Sequence, residues 1–196
     1  MSNTAVFPPR EDGFARKRWS VSECRFLTEN GLLTAGTYEL LEGEVIAKVG
    51  QGRYHIFVVA RIITILTALF GDTVQSQAQI GIGEIDAYND PEPDVAVLRK
   101  PLHAYLERDP HPATDVLLVV EVANTTLQGD LTTKANLYAR CEVPEYWVVA
   151  IPRRDVTVFR QPTPNGYTDI RTYSAQETLT TLALPDAPIP IHTFLP

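Results

Sequence analysis

Residues 116–123 read Val-Leu-Leu-Val-Val-Glu-Val-Ala, a strongly apolar segment. Consecutive aliphatic residues, several of them β-branched, are typical of a strand that is covered on both faces. A carboxylate follows them at Glu121, and burying a charge among apolar side chains is costly unless the charge is paired. The stretch therefore predicts a central strand that ends in an exposed, paired or functional acid.

A helix and a second apolar strand are predicted directly after this segment. Leu131, Ala135 and Tyr138 recur at helical spacing within residues 130–142, and residues 145–151 read Glu-Tyr-Trp-Val-Val-Ala-Ile. A crossover of this length is typical of two parallel strands in a right-handed β-α-β unit. The sequence therefore predicts an α/β fold, in the form of an α+β mixed sheet with flanking helices.

Two short elements are predicted near the start of the chain. Ser20 and Glu23 form the pattern of a capping box, which begins a helix. Residues 38–48 predict an N-terminal β-hairpin with its turn at Glu42-Gly43.

The remaining elements are read from weaker patterns. Residues 73–82 and 94–98 predict strands, and residues 156–159 with 167–173 predict a C-terminal peripheral hairpin. The strongest helical periodicity spans residues 54–70 and predicts an apolar face made of Ile56, Val59, Ala60, Ile63, Leu66 and Phe70.

Length and composition predict one ordinary globular domain. The 196 residues are 44% apolar and 21% charged, and we expect a loose lead-in at residues 1–18 followed by a single domain at residues 19–196. The lead-in lacks the apolar segment of a signal peptide, and no apolar run approaches the length of a membrane span. Two cysteines outside any metal-binding spacing predict neither a disulfide framework nor a structural zinc. The reducing cytoplasm is therefore the expected location.

Asp94 and Glu121 are the first candidates for chemistry. Each stands at one end of a predicted buried strand, so the two carboxylates are expected at one edge of the sheet. Mg²⁺ prefers hard oxygen ligands and is usually held by one or two carboxylates together with water and substrate phosphate. The competing interpretations are a turn acid after Pro93 and a strand-end acid that points to water.

Lys134 is the candidate cation of the same site. From the helix after the central strand, its amine could reach a scissile phosphate and stabilise negative charge in the transition state. Asp130 lies one helical turn earlier, where it could orient Lys134 or simply cap the helix. A solvent-exposed lysine on a helix is the simpler alternative for Lys134.

Glu44 and His55 are auxiliary candidates from earlier elements. Glu44 follows the hairpin turn and His55 begins the long helix, so either could project toward the same cleft. A turn acid and a surface histidine are the simpler alternatives. The chain has no G-x-x-x-x-G-K-[ST], G-x-G-x-x-G or G-x-S-x-G motif, which argues against a nucleotide cradle and a nucleophile elbow.

Five segments together resemble the Uma2 family, or DUF820, a group abundant in cyanobacteria within the PD-(D/E)XK nuclease-like superfamily. The resemblance covers roughly residues 20–195. The segments are Tyr-Glu-Leu-Leu-Glu-Gly-Glu at 38–44, Pro-Asp-Val-Ala-Val at 93–97, Leu-Val-Val-Glu-Val at 118–122, Asp130-x-x-x-Lys134-x-x-x-Tyr138, and Val-Pro-Glu-Tyr-Trp-Val-Val at 143–149.

The resemblance implies a restriction-endonuclease-like core and a metal-dependent endonuclease that hydrolyses DNA. Asp94 and Glu121 would bind Mg²⁺ or Mn²⁺. The usual lysine of the superfamily would fall at Ala123, so Lys134 would replace it from the following helix. A homodimer is expected because a duplex has two strands to cut and two-fold pairing is the commonest symmetry.

Two departures from the family pattern leave other functions open. Residues 124–126 read Asn-Thr-Thr where the family often has Ser-Pro-Ser, and Ala150 stands where it tends to have Asp. The net charge of −7 also means that any phosphate-binding surface must be locally basic. The alternatives are a catalytically inactive binding or regulatory module on the same fold, or a domesticated transposon-associated protein with a protein partner.

Overall fold

The computed structural model describes residues 16–48, 50–76, 87–106 and 113–195. The chain divides into two compact units, Met1–Val49 with Glu84–Pro91, and Gly50–Gly83 with Glu92–Pro196. The lead-in lies mostly outside the described residues, and the single domain predicted after it remains a prediction. The second half of the strand predicted at residues 73–82 also lies outside them.

The first unit contains the predicted capped helix and hairpin. The Ser20 side chain accepts a hydrogen bond from the backbone N–H of Glu23, and the Glu23 carboxylate accepts one from the backbone N–H of Ser20. The hairpin turns at Glu42 and Gly43, whose φ angles of 53° and 79° are those of a type I′ turn. Both predictions are confirmed. The elements are α1 (Val21–Glu29), β1 (Tyr38–Leu41) and β2 (Glu44–Ala47).

The second unit is built on a six-stranded sheet with the order β3-β4-β5-β6-β7-β8. β5 and β6 are parallel and every other neighbouring pair is antiparallel, so the predicted mixed sheet is confirmed. The strands are β3 (Val74–Ser76), β4 (Val95–Leu98), β5 (Val116–Ala123), β6 (Glu145–Ala150), β7 (Asp155–Thr163) and β8 (Gly166–Ser174). A separate two-stranded ribbon pairs β9 (Thr178–Leu179) with β10 (Ile189–Pro190).

One face of the sheet is covered by α2 (Arg53–Phe70). This helix buries Val58, Ile62 and Leu66 in a core shared with the strands. The predicted apolar face was wrong in part, because Ile56 is 55% exposed and Ala60 is exposed as well. With its 3₁₀ extension, Arg53–Thr73 is long and apolar enough to cross a membrane by length and composition alone, which the sequence reading did not anticipate.

The opposite face is covered by the crossover between β5 and β6. It comprises α3 (Leu127–Gly129), a π-helical turn (Asp130–Lys134) and α4 (Ala135–Arg140). Tyr138 of α4 packs on Tyr146 of β6 with ring centroids 4.9 Å apart, and Tyr146 contacts Phe159 of β7 at 5.4 Å. Short 3₁₀ helices span Gly71–Thr73, Leu102–Tyr105, Ala113–Asp115 and Ile191–Thr193.

The predicted C-terminal hairpin forms, but the prediction that it is peripheral was wrong. Residues 155–160 of β7 pair with β6, so the hairpin supplies the last two strands of the sheet. Glu145 of β6 links the hairpin to the segment that follows it. Its buried carboxylate accepts hydrogen bonds from Arg160 at 2.6 Å and from the backbone N–H of Leu182 at 2.7 Å. The segment after the hairpin is thereby anchored to β6.

Arg160→Leu is expected to lower the free energy of unfolding by about 3 kcal/mol, because it leaves Glu145 charged and unpaired inside the protein. Urea denaturation of the intact chain measures this loss. Arg153→Leu is the matched control, since Arg153 is half-exposed and its ion pair with Asp155 at 2.9 Å lies at the surface. We expect that change to cost less than about 1 kcal/mol. Equal losses would show that burial adds nothing to the Arg160 pair.

Candidate active site

The strand register brings the two predicted acids to the same end of two adjacent strands. Val95 of β4 pairs with Val120 of the antiparallel β5, Asp94 directly precedes β4, and Glu121 follows Val120 within β5. Both acids are buried, with 5% and 4% of their surface exposed.

Asp94 is held by contacts from two other elements. Its Oδ2 atom accepts a 2.7 Å hydrogen bond from the backbone N–H of Val122, the residue after Glu121. The same oxygen lies 3.1 Å from Nε2 of His55 on α2. An ionised carboxylate only accepts hydrogen bonds, so Nε2 carries the proton in this contact. The structure therefore brings the predicted His55 to Asp94.

The second ring nitrogen of His55 has an unusual environment. Its Nδ1 atom is buried and has no hydrogen-bond partner among the residues that the structure describes. In the neutral tautomer that donates through Nε2, Nδ1 is an acceptor, and in the protonated ring it is a donor. His55 therefore presents a second polar nitrogen beside one of the two acids.

Glu121 is bound by two side chains of the crossover helix, which covers the face of the sheet opposite α2. Its Oε1 atom accepts a 2.9 Å hydrogen bond from the Lys134 amine and a 3.0 Å hydrogen bond from the Tyr138 hydroxyl. Lys134 is 7% exposed, so this is a buried ion pair and not the solvated helix lysine of the simpler alternative. Lys134 and Tyr138 lie four positions apart and thus share one face of the helix.

The π-helical turn sets the position of Lys134. Asp130 begins this turn, is 3% exposed and forms the helical ion pair with Lys134 that the simpler interpretation included, although it is not the N-cap of the helix. One carboxylate oxygen of Asp130 lies 3.7 Å from the Lys134 amine, and the other accepts a 2.6 Å hydrogen bond from the Thr126 hydroxyl. The Tyr146 hydroxyl donates to the backbone carbonyl of Asp130 at 3.0 Å. Single π turns inside helices are frequent at functional sites.

Glu44 belongs to the other compact unit. It is the first residue of β2, is half-buried and pairs with Leu41 across the hairpin. Its proposed contribution to the site remains a prediction.

Sequence reasoning missed two contributors to the site. Tyr138 was assigned only to the apolar stripe of the helix, although its spacing from Lys134 was part of the family pattern. Thr126 was noted only as a substitution in the loop after β5. The signal for Tyr138 was present, because a tyrosine four residues after a buried lysine shares its face and usually needs a partner for its hydroxyl when buried.

Carboxyl groups outnumber amines at the site. Asp94, Glu121 and Asp130 are three buried carboxylates, and Lys134 is the one buried amine among the described residues. Like charges in a low-dielectric interior disfavour ionisation unless a cation compensates them. No group of three or more His, Cys, Asp or Glu side chains in the described ranges forms a protein metal cage. Two hard carboxylates fit a Mg²⁺ site that is completed by water and phosphate.

The family model for Uma2, described as "Putative restriction endonuclease", matches residues 31–191. No curated protein matches the chain. A solved structure titled as that of "a putative nuclease belonging to DUF820" from Anabaena variabilis is similar, with a TM-score of 0.61 and 12% identity over 81% of this chain and 89% of that chain.

The two findings carry different weight. At 12% identity the structural likeness shows the fold, and it confirms the predicted nuclease-like α/β architecture. The sequence match spans most of the chain and confirms the resemblance drawn from the motifs. The chain therefore belongs to the Uma2 family.

Proposed function

We propose that this chain is a metal-dependent endonuclease that hydrolyses phosphodiester bonds of DNA. The observation that carries the proposal is a cluster of three buried carboxyl side chains with one buried lysine, in which Asp94 precedes β4, Glu121 lies on β5, and Asp130 and Lys134 lie on the π-helical turn. An apolar sheet gains nothing from such an arrangement, since buried ion pairs are often replaceable by apolar residues without loss of stability. Binding of a metal cation and an anionic substrate would account for this cluster of buried charged groups.

Asp94 and Glu121 are the residues that would hold Mg²⁺ or Mn²⁺. Such an ion supplies a more acidic bound water and compensates the charge that develops on phosphorus. The protein's own contribution is to keep both acids in place. The backbone N–H of Val122 and the His55 ring fix Asp94, while Lys134 and Tyr138 fix Glu121.

Lys134 is proposed as the catalytic cation. Its amine donates to Glu121 in the buried site. A cation at this position stabilises negative charge on a phosphate as the bond breaks. Asp130 acts as a positioning residue, because its carboxylate lies 3.7 Å from the amine within the same turn.

His55 has an auxiliary role in this proposal. It orients Asp94 through Nε2 and leaves Nδ1 as an acceptor for water or a substrate hydroxyl. Glu44 is kept as a further acid from the hairpin unit. The DNA substrate, the homodimer and the cytoplasmic location are parts of the proposal that rest on the family pattern and on the arguments from duplex symmetry and cysteine content.

A second candidate is a catalytically inactive module on the same fold. Ala150, where the family tends to have Asp, is fully buried opposite Ala123 on the parallel β5. Lys134 and Tyr138 already satisfy Oε1 of Glu121, so the site also works as a closed internal network. The net charge of −7 favours the same candidate, since it opposes an approach by DNA. The two candidates differ in metal binding and in strand cleavage.

Lys134→Met is expected to reduce DNA cleavage by about a hundredfold or more, because it removes charge stabilisation in the transition state. Nicking of supercoiled plasmid and cleavage of single-stranded DNA with Mn²⁺ or Mg²⁺ measure the effect. Lys100→Met is the matched control, since that lysine is half-exposed and paired at the surface with Asp115 at 3.5 Å. Circular dichroism checks that both variants fold. Unchanged activity in Lys134→Met would remove the lysine from the mechanism, and no cleavage by the unaltered chain would favour the inactive module.

Glu121→Gln tests the metal site with little change of shape. In the unaltered chain, millimolar Mg²⁺ or Mn²⁺ is expected to raise the melting temperature, because an ion that binds the folded state stabilises it by mass action. The substitution keeps an oxygen for Lys134 and Tyr138 and removes the charge, so we expect the metal-dependent rise to disappear. Asp186→Asn, at an exposed acid far along the chain, should keep the full rise. A rise that persists in Glu121→Gln would place the ion elsewhere.

Tyr138→Phe is expected to lower kcat by about tenfold while KM for DNA changes little, because the loss of one positioning hydrogen bond acts on the reacting groups and not on substrate contacts. Tyr167→Phe is a close control. Its hydroxyl is also buried and donates to the backbone carbonyl of Val143 at 2.9 Å, away from the acids. Both variants lose one buried hydrogen bond, so similar kinetics in the two would show that Tyr138 is only structural.

A further inference from the structure

β8 (Gly166–Ser174) forms one edge of the six-stranded sheet. Within the described part of the chain eight of its nine residues pair with β7, and residues 168–172 in its middle are all exposed. Ile170 at the centre is 56% exposed. An exposed edge of this length is a template for pairing with another strand.

This segment lacks two of the usual protections of an edge strand. Residues 166–174 read Gly-Tyr-Thr-Asp-Ile-Arg-Thr-Tyr-Ser and contain neither proline nor lysine. Proline and lysine are common devices by which natural sheets prevent unwanted edge pairing. The charged residues that the segment does contain, Asp169 and Arg171, flank the exposed Ile170.

The exposed segment is chemically symmetric about Ile170. Thr168 and Thr172 lie two positions before and after it, and Asp169 and Arg171 lie one position before and after it. In an antiparallel pair of identical strands centred at Ile170, each threonine meets a threonine and each acid meets an arginine. Opposite charges directly across a strand pair are stabilising, as are threonine pairs.

The charges also specify one register. If the two-fold axis were moved by one residue, Asp169 would face its own copy or Arg171 would face its own copy, and like charges directly opposite are destabilising. Within the chain, Arg171 lies opposite Val158 of β7 and Asp169 lies opposite Arg160, whose guanidinium is bound to Glu145. The two charges of β8 thus have their best complement in a second copy of the same strand.

Arg171 is placed to reach such a partner. Its side chain is 63% exposed, lies over the Tyr173 ring at 4.4 Å and stands 3.5 Å from Glu177, contacts that are weak at the surface and easily exchanged. We infer that a second copy of this chain pairs with β8 edge to edge in antiparallel orientation about Ile170, so that two six-stranded sheets join into one. This inference does not depend on the proposed nuclease activity, and no step of its test measures cleavage.

Two charge-reversal variants test the interface in the full-length protein. Asp169→Arg alone places arginine opposite arginine, and Arg171→Asp alone places aspartate opposite aspartate, so each is expected to weaken self-association by about tenfold or more relative to the unaltered chain. When the two variants are mixed, every pair becomes arginine against aspartate. Sedimentation velocity of a mixture with one variant fluorescently labelled should therefore show a one-to-one heterodimer with affinity near that of the unaltered chain.

The mixture separates recognition from stability. Arg171→Asp also loses the contacts with Tyr173 and Glu177, and circular dichroism and melting temperature report any loss of folding in either variant. Heterodimer formation from two weakly associating variants supports the inference, because neither variant regains its own intrachain contacts in the mixture. A monomeric unaltered chain at all accessible concentrations, single variants that associate normally, or a mixture that stays monomeric would each overturn it.

Discussion

The ion pair between Glu121 and Lys134 is the interaction on which the arrangement of the site depends. Both groups are more than nine-tenths buried, and their atoms lie 2.9 Å apart. An acid at the end of a fully covered strand must find a cation, because an isolated buried carboxylate is strongly disfavoured. The following crossover supplies that cation, because the connection between the parallel neighbours β5 and β6 returns across the face of the sheet.

The ion pair also constrains the helix that carries it. Asp130 and Lys134 occupy a π-helical turn between two α-helical segments, and Tyr146 of the next strand donates to a backbone carbonyl of that turn. A π turn has poorer hydrogen bonding than an α-helix and persists where neighbours over-determine it. Here the neighbours are polar groups of the site, so the same hydrogen bonds hold both the π turn and the side chains of Asp130 and Lys134 in place.

The sequence was sufficient to predict the elements whose patterns are local. The β-branched run at residues 116–123, the parallel strand after the crossover and the Ser20 capping box were all confirmed. The buried face of α2 was less predictable, because the helix is apolar on most sides and its periodicity does not select Val58 over Ile56. The position of β8 in the sheet could not be read either, since an edge strand and a peripheral hairpin show the same half-exposed pattern.

The residues of the candidate site were likewise predictable only in part. Asp94, Glu121 and Lys134 were named because charged residues beside apolar runs are conspicuous, and the structure shows each of them buried among specific partners. The partners themselves depend on tertiary placement. Neither the His55 contact with Asp94 nor the hydroxyl of Tyr138 on Glu121 follows from spacing alone, because each joins elements that meet only after the sheet has formed.

The placement of Lys134 between two acids resolves an apparent conflict in the site. An amine bound to Glu121 competes with any divalent cation for that carboxylate, since the two positive charges repel each other. Asp130, 3.7 Å from the same amine, gives Lys134 a second carboxylate within the turn. Under the proposed function, Lys134 can therefore keep a carboxylate partner while Glu121 binds a metal ion. A site with one acid in contact with Lys134 would lose the lysine's pairing on binding metal, whereas a site with two acids keeps it, and this gives the buried Asp130 a role in the proposed site.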